Sequence, residues 1–151
     1  MTKPALTVSA LYLGLVGLAL IFFPIQFGRD AVPADAAPEL LALLRLLGGP
    51  FLGIAALNWL SRNAEPATLR IVMCANIVGF GAVTANDIWG VASGEARGIA
   101  KLFLVIHLLF TSAFVAAVRG VKSEVRNSSG ADDGKRGIRR FDTQTCPYRF
   151  R

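Results

Sequence analysis

The chain has 151 residues, enough for one domain but too few for a membrane module joined to a separate soluble enzyme. Hydrophobic residues make up 54% of it and charged residues only 17%, so a water-soluble fold would lack polar cover. Although the net charge is +6, eight of the 16 Lys and Arg residues follow residue 120 and most others flank apolar runs, a pattern typical of membrane topology signals rather than of nucleic-acid binding.

Four apolar runs are each long enough to cross a hydrocarbon core as an α-helix, which takes about 20 residues. They cover approximately residues 6–27, 40–60, 69–89 and 99–118. The connections are short and carry prolines or glycines, so consecutive runs are predicted to lie side by side in opposite directions. The predicted fold class is therefore all-α: an integral membrane four-helix antiparallel bundle over residues 1–119.

The first run raises the question of a signal peptide, because Lys3 precedes it and residues 34–36 resemble a small-residue cleavage site. The apolar stretch ends well before that site, and Arg29 lies in the gap. We expect the first run to be retained as a span, with cleavage as the alternative.

Positive charge predicts the orientation. Lys3, Arg62, Arg70 and the basic segment 120–151 fall on one side of a four-span topology, which indicates cytoplasmic termini in a plasma or inner membrane. Segment 120–151 has few large apolar residues and is predicted to be a disordered tail. It is interpreted first as a solvated topology anchor and second as a site for anionic lipid.

Polar groups within the spans are costly in lipid, and Arg45 and Asp87 are the clearest candidates for a functional site. Arg45 precedes Arg62 by 17 residues and Asp87 follows Arg70 by 17, so the two are predicted to lie at a similar depth. They can form an ion pair. Alternatively, Arg45 snorkels towards the headgroups or binds a substrate carboxylate or phosphate.

His107, the only histidine, is predicted to lie near mid-membrane on the fourth run. A neutral imidazole bonded to Asn76, Thr84 or a carbonyl is favoured over a proton relay or metal ligand. A single histidine cannot supply two axial haem ligands, and the two cysteines have no metal-ligand spacing. No cofactor or metal is therefore implied by a motif.

Two asparagines on neighbouring runs, Asn58 and Asn76, are predicted to lie at comparable depths and to form hydrogen bonds between helices. A small polar cavity lined by both is the second interpretation. On the second run, Gly49 and Gly53 form a GxxxG motif, which predicts a close helix approach and secondarily oligomerisation.

The segment LLRLLGGPFLGIAALNWLSRN (residues 43–63) has an arginine early in the second run, glycines after it and a tryptophan near its basic end. In this layout the chain resembles the small four-helix membrane proteins around the DoxX-like superfamily. The resemblance implies a four-helix membrane fold over about residues 6–119. Some members are connected to quinone or terminal-oxidase partners, but no residue here carries such a role over.

Motifs of serine hydrolases, zinc proteases and phosphate-binding loops do not occur in the sequence. We therefore expect a small multi-pass membrane protein without catalytic activity, which associates with itself or with a larger membrane complex. The alternative is an enzyme or carrier for a small amphipathic molecule, with Arg45, Asp87 and His107 facing an internal cavity. A third hypothesis assigns the basic tail a role in recruitment to lipid surfaces.

Overall fold

A computed structural model describes residues 2–29, 31–96 and 98–141, with side chains as far as residue 120. These ranges contain no strand, and their helices are α1 (Thr2–Phe22), α2 (Pro24–Phe27), α3 (Pro38–Ser61), α4 (Pro66–Ser93) and α5 (Ala100–Phe141). Four segments are long and apolar enough to cross a membrane: α1, α3, α4 and the Ala100–Gly120 part of α5. The predicted number and positions of apolar helices therefore agree with the structure.

Prolines determine several helix boundaries. Pro38 and Pro66 begin α3 and α4, where a missing N–H group costs nothing. Pro24 separates α1 from the short α2, so the first helix stops at Phe22 instead of continuing to Phe27 as the apolar run predicts. At the end of α4, Gly94 adopts a φ of 76°, the left-handed conformation that commonly ends a helix.

Helix α5 continues to Phe141, into the segment predicted to be a disordered tail. No proline interrupts residues 100–141, so the backbone can keep its helical hydrogen bonds past the apolar part. The side chains of residues 121–141 and all of residues 142–151 lie outside the described part. The interpretations of the tail as an anchor or a lipid site therefore stay predictions.

The long helices pack in two pairs. Helix α1 lies along α3 and α4 lies along α5, while α1 also contacts α5; α3 and α4 touch only sparsely. The buried core draws on all four helices and consists of Leu6, Leu13, Ala55, Val72, Met73, Phe80, Phe114 and Ala117. This arrangement leaves a gap between α3 and α4.

Helices α1 and α3 approach each other closely at Gly17 and Gly48. A Cβ atom on Gly48 would lie 2.6 Å from the Gly17 carbonyl oxygen and 2.6 Å from Cγ1 of Ile21. By contrast, nothing lies within 4 Å of a Cβ placed on Gly49 or Gly53. The assignment of close packing to the GxxxG pair is thus wrong for the described chain, because the next residue along α3 points about 100° away from Gly48.

Gly48→Ala is expected to lower the free energy of unfolding by about 1–3 kcal/mol, because its methyl group would overlap the α1 backbone. Gly49→Ala is the matched control: it gains the same helix propensity but meets open space. Unfolding of the detergent-solubilised protein, followed by helicity, measures both. Equal effects of the two substitutions would contradict the close approach.

Candidate functional site

A three-residue hydrogen-bonded chain joins three helices. Nδ1 of His107 on α5 lies 2.6 Å from Oδ2 of Asp87 on α4, and Nε2 of His107 lies 2.8 Å from the hydroxyl of Tyr12 on α1. The His107 and Asp87 side chains are only 11% and 15% exposed. We call Tyr12, His107 and Asp87 the relay.

The chemistry of the partners assigns the protons in the relay. An ionised Asp87 can only accept, so Nδ1 of His107 carries a proton and donates it to the carboxylate. With a neutral imidazole, Nε2 then accepts from the Tyr12 hydroxyl. A second proton on His107 would reverse this bond, because Nε2–H would donate to Tyr12. The relay can therefore hold an additional proton without losing either contact.

Aromatic rings enclose the imidazole. The His107 ring lies 6.1 Å from that of Phe80 and 6.2 Å from that of Phe103, between centroids, and the Tyr12 ring meets it edge-on at 5.9 Å. Phe110 stacks on Phe80 at 4.7 Å. These rings exclude water from most of the relay, which strengthens its hydrogen bonds.

The relay forms part of the wall of a cavity of about 840 Å³ between the long helices, a volume typical of small-molecule sites. Helix α3 contributes only apolar side chains and Pro50 to this cavity, and α2 with the following loop borders one end. The polar lining residues are Tyr12, Asn76, Asn86, Asp87, Glu95 and His107. The few contacts between α3 and α4 leave a gap between these helices, and the cavity lies beside it.

A second polar cluster, which we call the amide clasp, consists of Ser9, Asn58 and Asn76. Asn58 and Asn76 exchange two hydrogen bonds of 2.8 and 2.7 Å between α3 and α4, as their depth predicts. The remaining amide hydrogens go to the Ser9 hydroxyl at 3.1 Å and to the Val72 carbonyl at 2.8 Å. Every amide hydrogen in the clasp is thereby satisfied, and α1, α3 and α4 are joined beside the cavity.

Compared with known proteins, this chain matches no family model, no curated protein and no solved structure. The DoxX-like resemblance therefore rests on the layout of residues 43–63 alone and stays a prediction. Any function has to be argued from the site itself.

Among the predicted site residues, Arg45 stands apart from the others. Its side chain is exposed on α3, it does not line the cavity, and no ion pair joins it to Asp87, whose partner is His107. The predicted Arg45–Asp87 pair is thus replaced by a His107–Asp87 pair. Snorkelling of Arg45 stays a prediction.

The different partner has a geometric cause. Asp87 lies opposite His107 and Thr84 opposite Thr111, at 3.4 Å between hydroxyls. In this register Arg119 falls opposite the region of Ala75, more than a turn from Arg70. Because Arg70 and Arg119 are not level, the predicted mid-membrane depth of His107 differs from the depth predicted for Asp87, although the two residues are in contact.

Tyr12 is not among the site residues predicted from the sequence. The residue lies ten positions beyond the first residue of α1, or about 15 Å along the helix. Such a position is near the middle of a span, where a hydroxyl needs a partner. This position along α1 is the sequence feature that could have identified Tyr12 as a site residue.

No three His, Cys, Asp or Glu side chains group together in the described ranges. Cys74 is a free, exposed thiol on α4. The described site residues offer hydrogen-bond donors and acceptors, the negative charge of Asp87 and, in His107, a group that can store a proton.

Proposed function

We propose that this protein is an integral membrane protein, an antiparallel four-helix bundle, that binds a small and largely apolar molecule entering from the bilayer between α3 and α4. The observation that carries the proposal is the cavity of about 840 Å³ with the relay in its wall. Apolar walls suit a lipophilic body, while the few converging polar groups can orient it.

Membrane insertion is supported by the surface of the helices. Large apolar side chains are highly exposed on all four, among them Leu15 (70%), Leu46 (73%), Ile71 (71%) and Leu109 (65%). Water would not tolerate so much contiguous apolar surface, whereas lipid covers it. Opposite chain directions are supported by the contacts of Gly17 with Gly48 and of Ser9 with Asn58.

The proposed orientation has both termini in the cytoplasm of a plasma or inner membrane. It is supported by Lys3, Arg62 and Arg70 on one side together with the eight Lys and Arg residues after residue 120. The cavity end bordered by α2 and Glu95 then faces the opposite side. Anionic cytoplasmic lipid would attract the basic tail, by about 1 kcal/mol per charge close to the surface.

The relay gives the proposed ligand a polar contact point. Asp87 keeps a second carboxylate oxygen, and the Tyr12 oxygen keeps a lone pair when its proton is shared with His107. Both residues line the cavity. A bound molecule can therefore donate a hydrogen bond to either group without breaking the relay.

Filling the cavity tests the proposal. Gly79 lines the cavity and Gly81 does not, and a Cβ on either meets no atom within 4 Å. Gly79→Phe is expected to lower the affinity for the native ligand at least about tenfold, because a phenyl ring would occupy its space. Gly81→Phe is the matched control.

The measurement is mass spectrometry of small molecules extracted from protein purified out of its native membrane. We expect a compound that accompanies the wild type and Gly81→Phe but is largely lost from Gly79→Phe. Identical extracts from all three proteins, containing bulk lipid only, would refute the proposed function.

A second candidate function is a non-catalytic subunit that associates with another copy of this chain. The observation that favours it is the open face of α3 around Gly49 and Gly53, which a second α3 could approach closely. Sizing in mild detergent would test it: Gly53→Ile should shift a dimer to a monomer. A wild-type protein that is strictly monomeric would contradict it.

A further inference from the structure

We infer that the ligand of this cavity is a lipophilic cation, and that it competes with a proton on His107 for the negative charge of Asp87. The inference rests on the proposed function, because it names the chemical class of the molecule that the cavity binds. It depends on the charges and rings that line the cavity and on the two protonation states available to the relay.

The charged groups among the described residues of the cavity wall are both carboxylates. Asp87 and Glu95 contribute carboxylates, and no Lys or Arg occurs among the described residues that line it. Arg45 lies on α3 next to the lining residue Leu44, but its exposed side chain does not line the cavity. A carboxylate or phosphate ligand would therefore meet like charge, whereas a cation would meet two opposite charges.

Ring faces complement these carboxylates. Phe80, Phe103 and Tyr12 surround His107, and Trp89 lines the cavity as well. The face of an aromatic ring carries negative charge density and attracts cations. Rings beside a carboxylate provide the setting in which a large cation with apolar substituents gains both electrostatic and apolar contacts.

Competition with a proton follows from the shared partner. When His107 carries two ring protons, its positive charge lies against Asp87 and cancels the attraction for a second cation. When a cationic ligand approaches Asp87, the proton leaves His107 for solvent, and Nε2 returns to accepting from Tyr12. Ligand binding thus releases at most one proton, and no atom other than that proton is transferred.

Few other titratable groups line the cavity with His107 among the described residues. They are Tyr12 on α1, Asp87 on α4 and Glu95 in the loop after α4, while α3 and α2 contribute none to the cavity. Glu95 is an exposed carboxylate that lines the same cavity. A test must therefore separate the effect of His107 from that of Glu95.

Tetraphenylphosphonium and tetraphenylborate have nearly the same shape and opposite charge, and serve as probes. Binding to the full chain in lipid nanodiscs is measured by calorimetry over a range of pH. We expect the wild type to bind the cation at least about tenfold more tightly than the anion, with an affinity for the cation that increases as the pH is raised.

Three substitutions assign the effect to residues. Asp87→Asn should lower the affinity for the cation by about tenfold to a hundredfold and leave the anion no weaker. His107→Asn keeps an amide donor towards Asp87 but cannot titrate, so the pH dependence attributed to His107 should disappear. Glu95→Gln should keep that pH dependence.

Equal affinity for both ions, preference for the anion, or a pH dependence that survives His107→Asn would overturn the inference. Such results would leave the proposed function intact if Gly79→Phe still loses the native molecule. Conversely, wild-type binding that Gly79→Phe does not weaken would place the cation elsewhere and count against both. The comparison of wild-type probes needs no substitution and tests the preference for a cation even if Asp87→Asn fails to fold, while His107→Asn and Glu95→Gln test the competition with a proton.

Discussion

His107→Leu is expected to lower the free energy of unfolding by about 3 kcal/mol, because the Asp87 carboxylate would be left without its partner in a mostly buried site. Tyr12 would lose its hydrogen bond as well. Reversible unfolding in bicelles, monitored by helicity, measures the effect. His107→Asn, which keeps a donor near the position of Nδ1, should recover part of the loss.

Replacing both members of the pair separates the cost of an uncompensated charge from that of lost packing. The double substitution Asp87→Leu with His107→Leu should be more stable than His107→Leu alone, since no unpaired charge remains. Additive losses would mean that His107 and Asp87 do not interact in the folded protein, contrary to their 2.6 Å contact.

Asn58→Leu is expected to destabilise the protein by about 2 kcal/mol, because Asn76 and Ser9 would both lose a partner at buried positions. The double substitution with Asn76→Leu should cost less than the sum of the single ones, since the unsatisfied amide then disappears. The same unfolding assay gives the coupling energy.

Thr84→Val is a suitable control for the amide clasp. Thr84 is also buried and polar, but its hydroxyl donates to the Phe80 carbonyl of its own helix. We expect a loss below about 1 kcal/mol, because the only contact of this hydroxyl with another helix is a long one, 3.4 Å to Thr111 on α5, which donates to the His107 carbonyl of its own helix. A cost as large as that of Asn58→Leu would show that any buried polar group on these helices has the same effect, and would remove the special role of the clasp.

The sequence predicts the helices well because each is determined locally. Apolar length sets their number, and Pro24, Pro38 and Pro66 mark boundaries that any neighbouring structure must respect. The pairing of Asn58 with Asn76 is also predictable, since only 18 residues of sequence separate them across the connection between α3 and α4. Little chain separates them, so errors in depth stay small.

The relay could not be predicted in this way because it depends on rotation and register between helices far apart in sequence. Tyr12 and His107 are 95 residues apart, and a shift of one turn would separate them. The rotation of α3 about its own axis also determines that Gly48 packs against α1 while Gly49 faces outward. Composition and spacing on one helix do not contain this information.

Imidazole nitrogen NMR of the protein in bicelles tests most directly whether the relay lies in a ligand-accessible cavity. His107 is the only histidine, so both imidazole nitrogen signals belong to it and only Nδ1 and Nε2 have to be distinguished. We predict a protonated Nδ1, an Nε2 that accepts a hydrogen bond lost in Tyr12→Phe, and shifts of both signals when tetraphenylphosphonium is added. A spectrum typical of a freely hydrated imidazole, unchanged by Tyr12→Phe and by the cation, would contradict the relay and its place in the cavity.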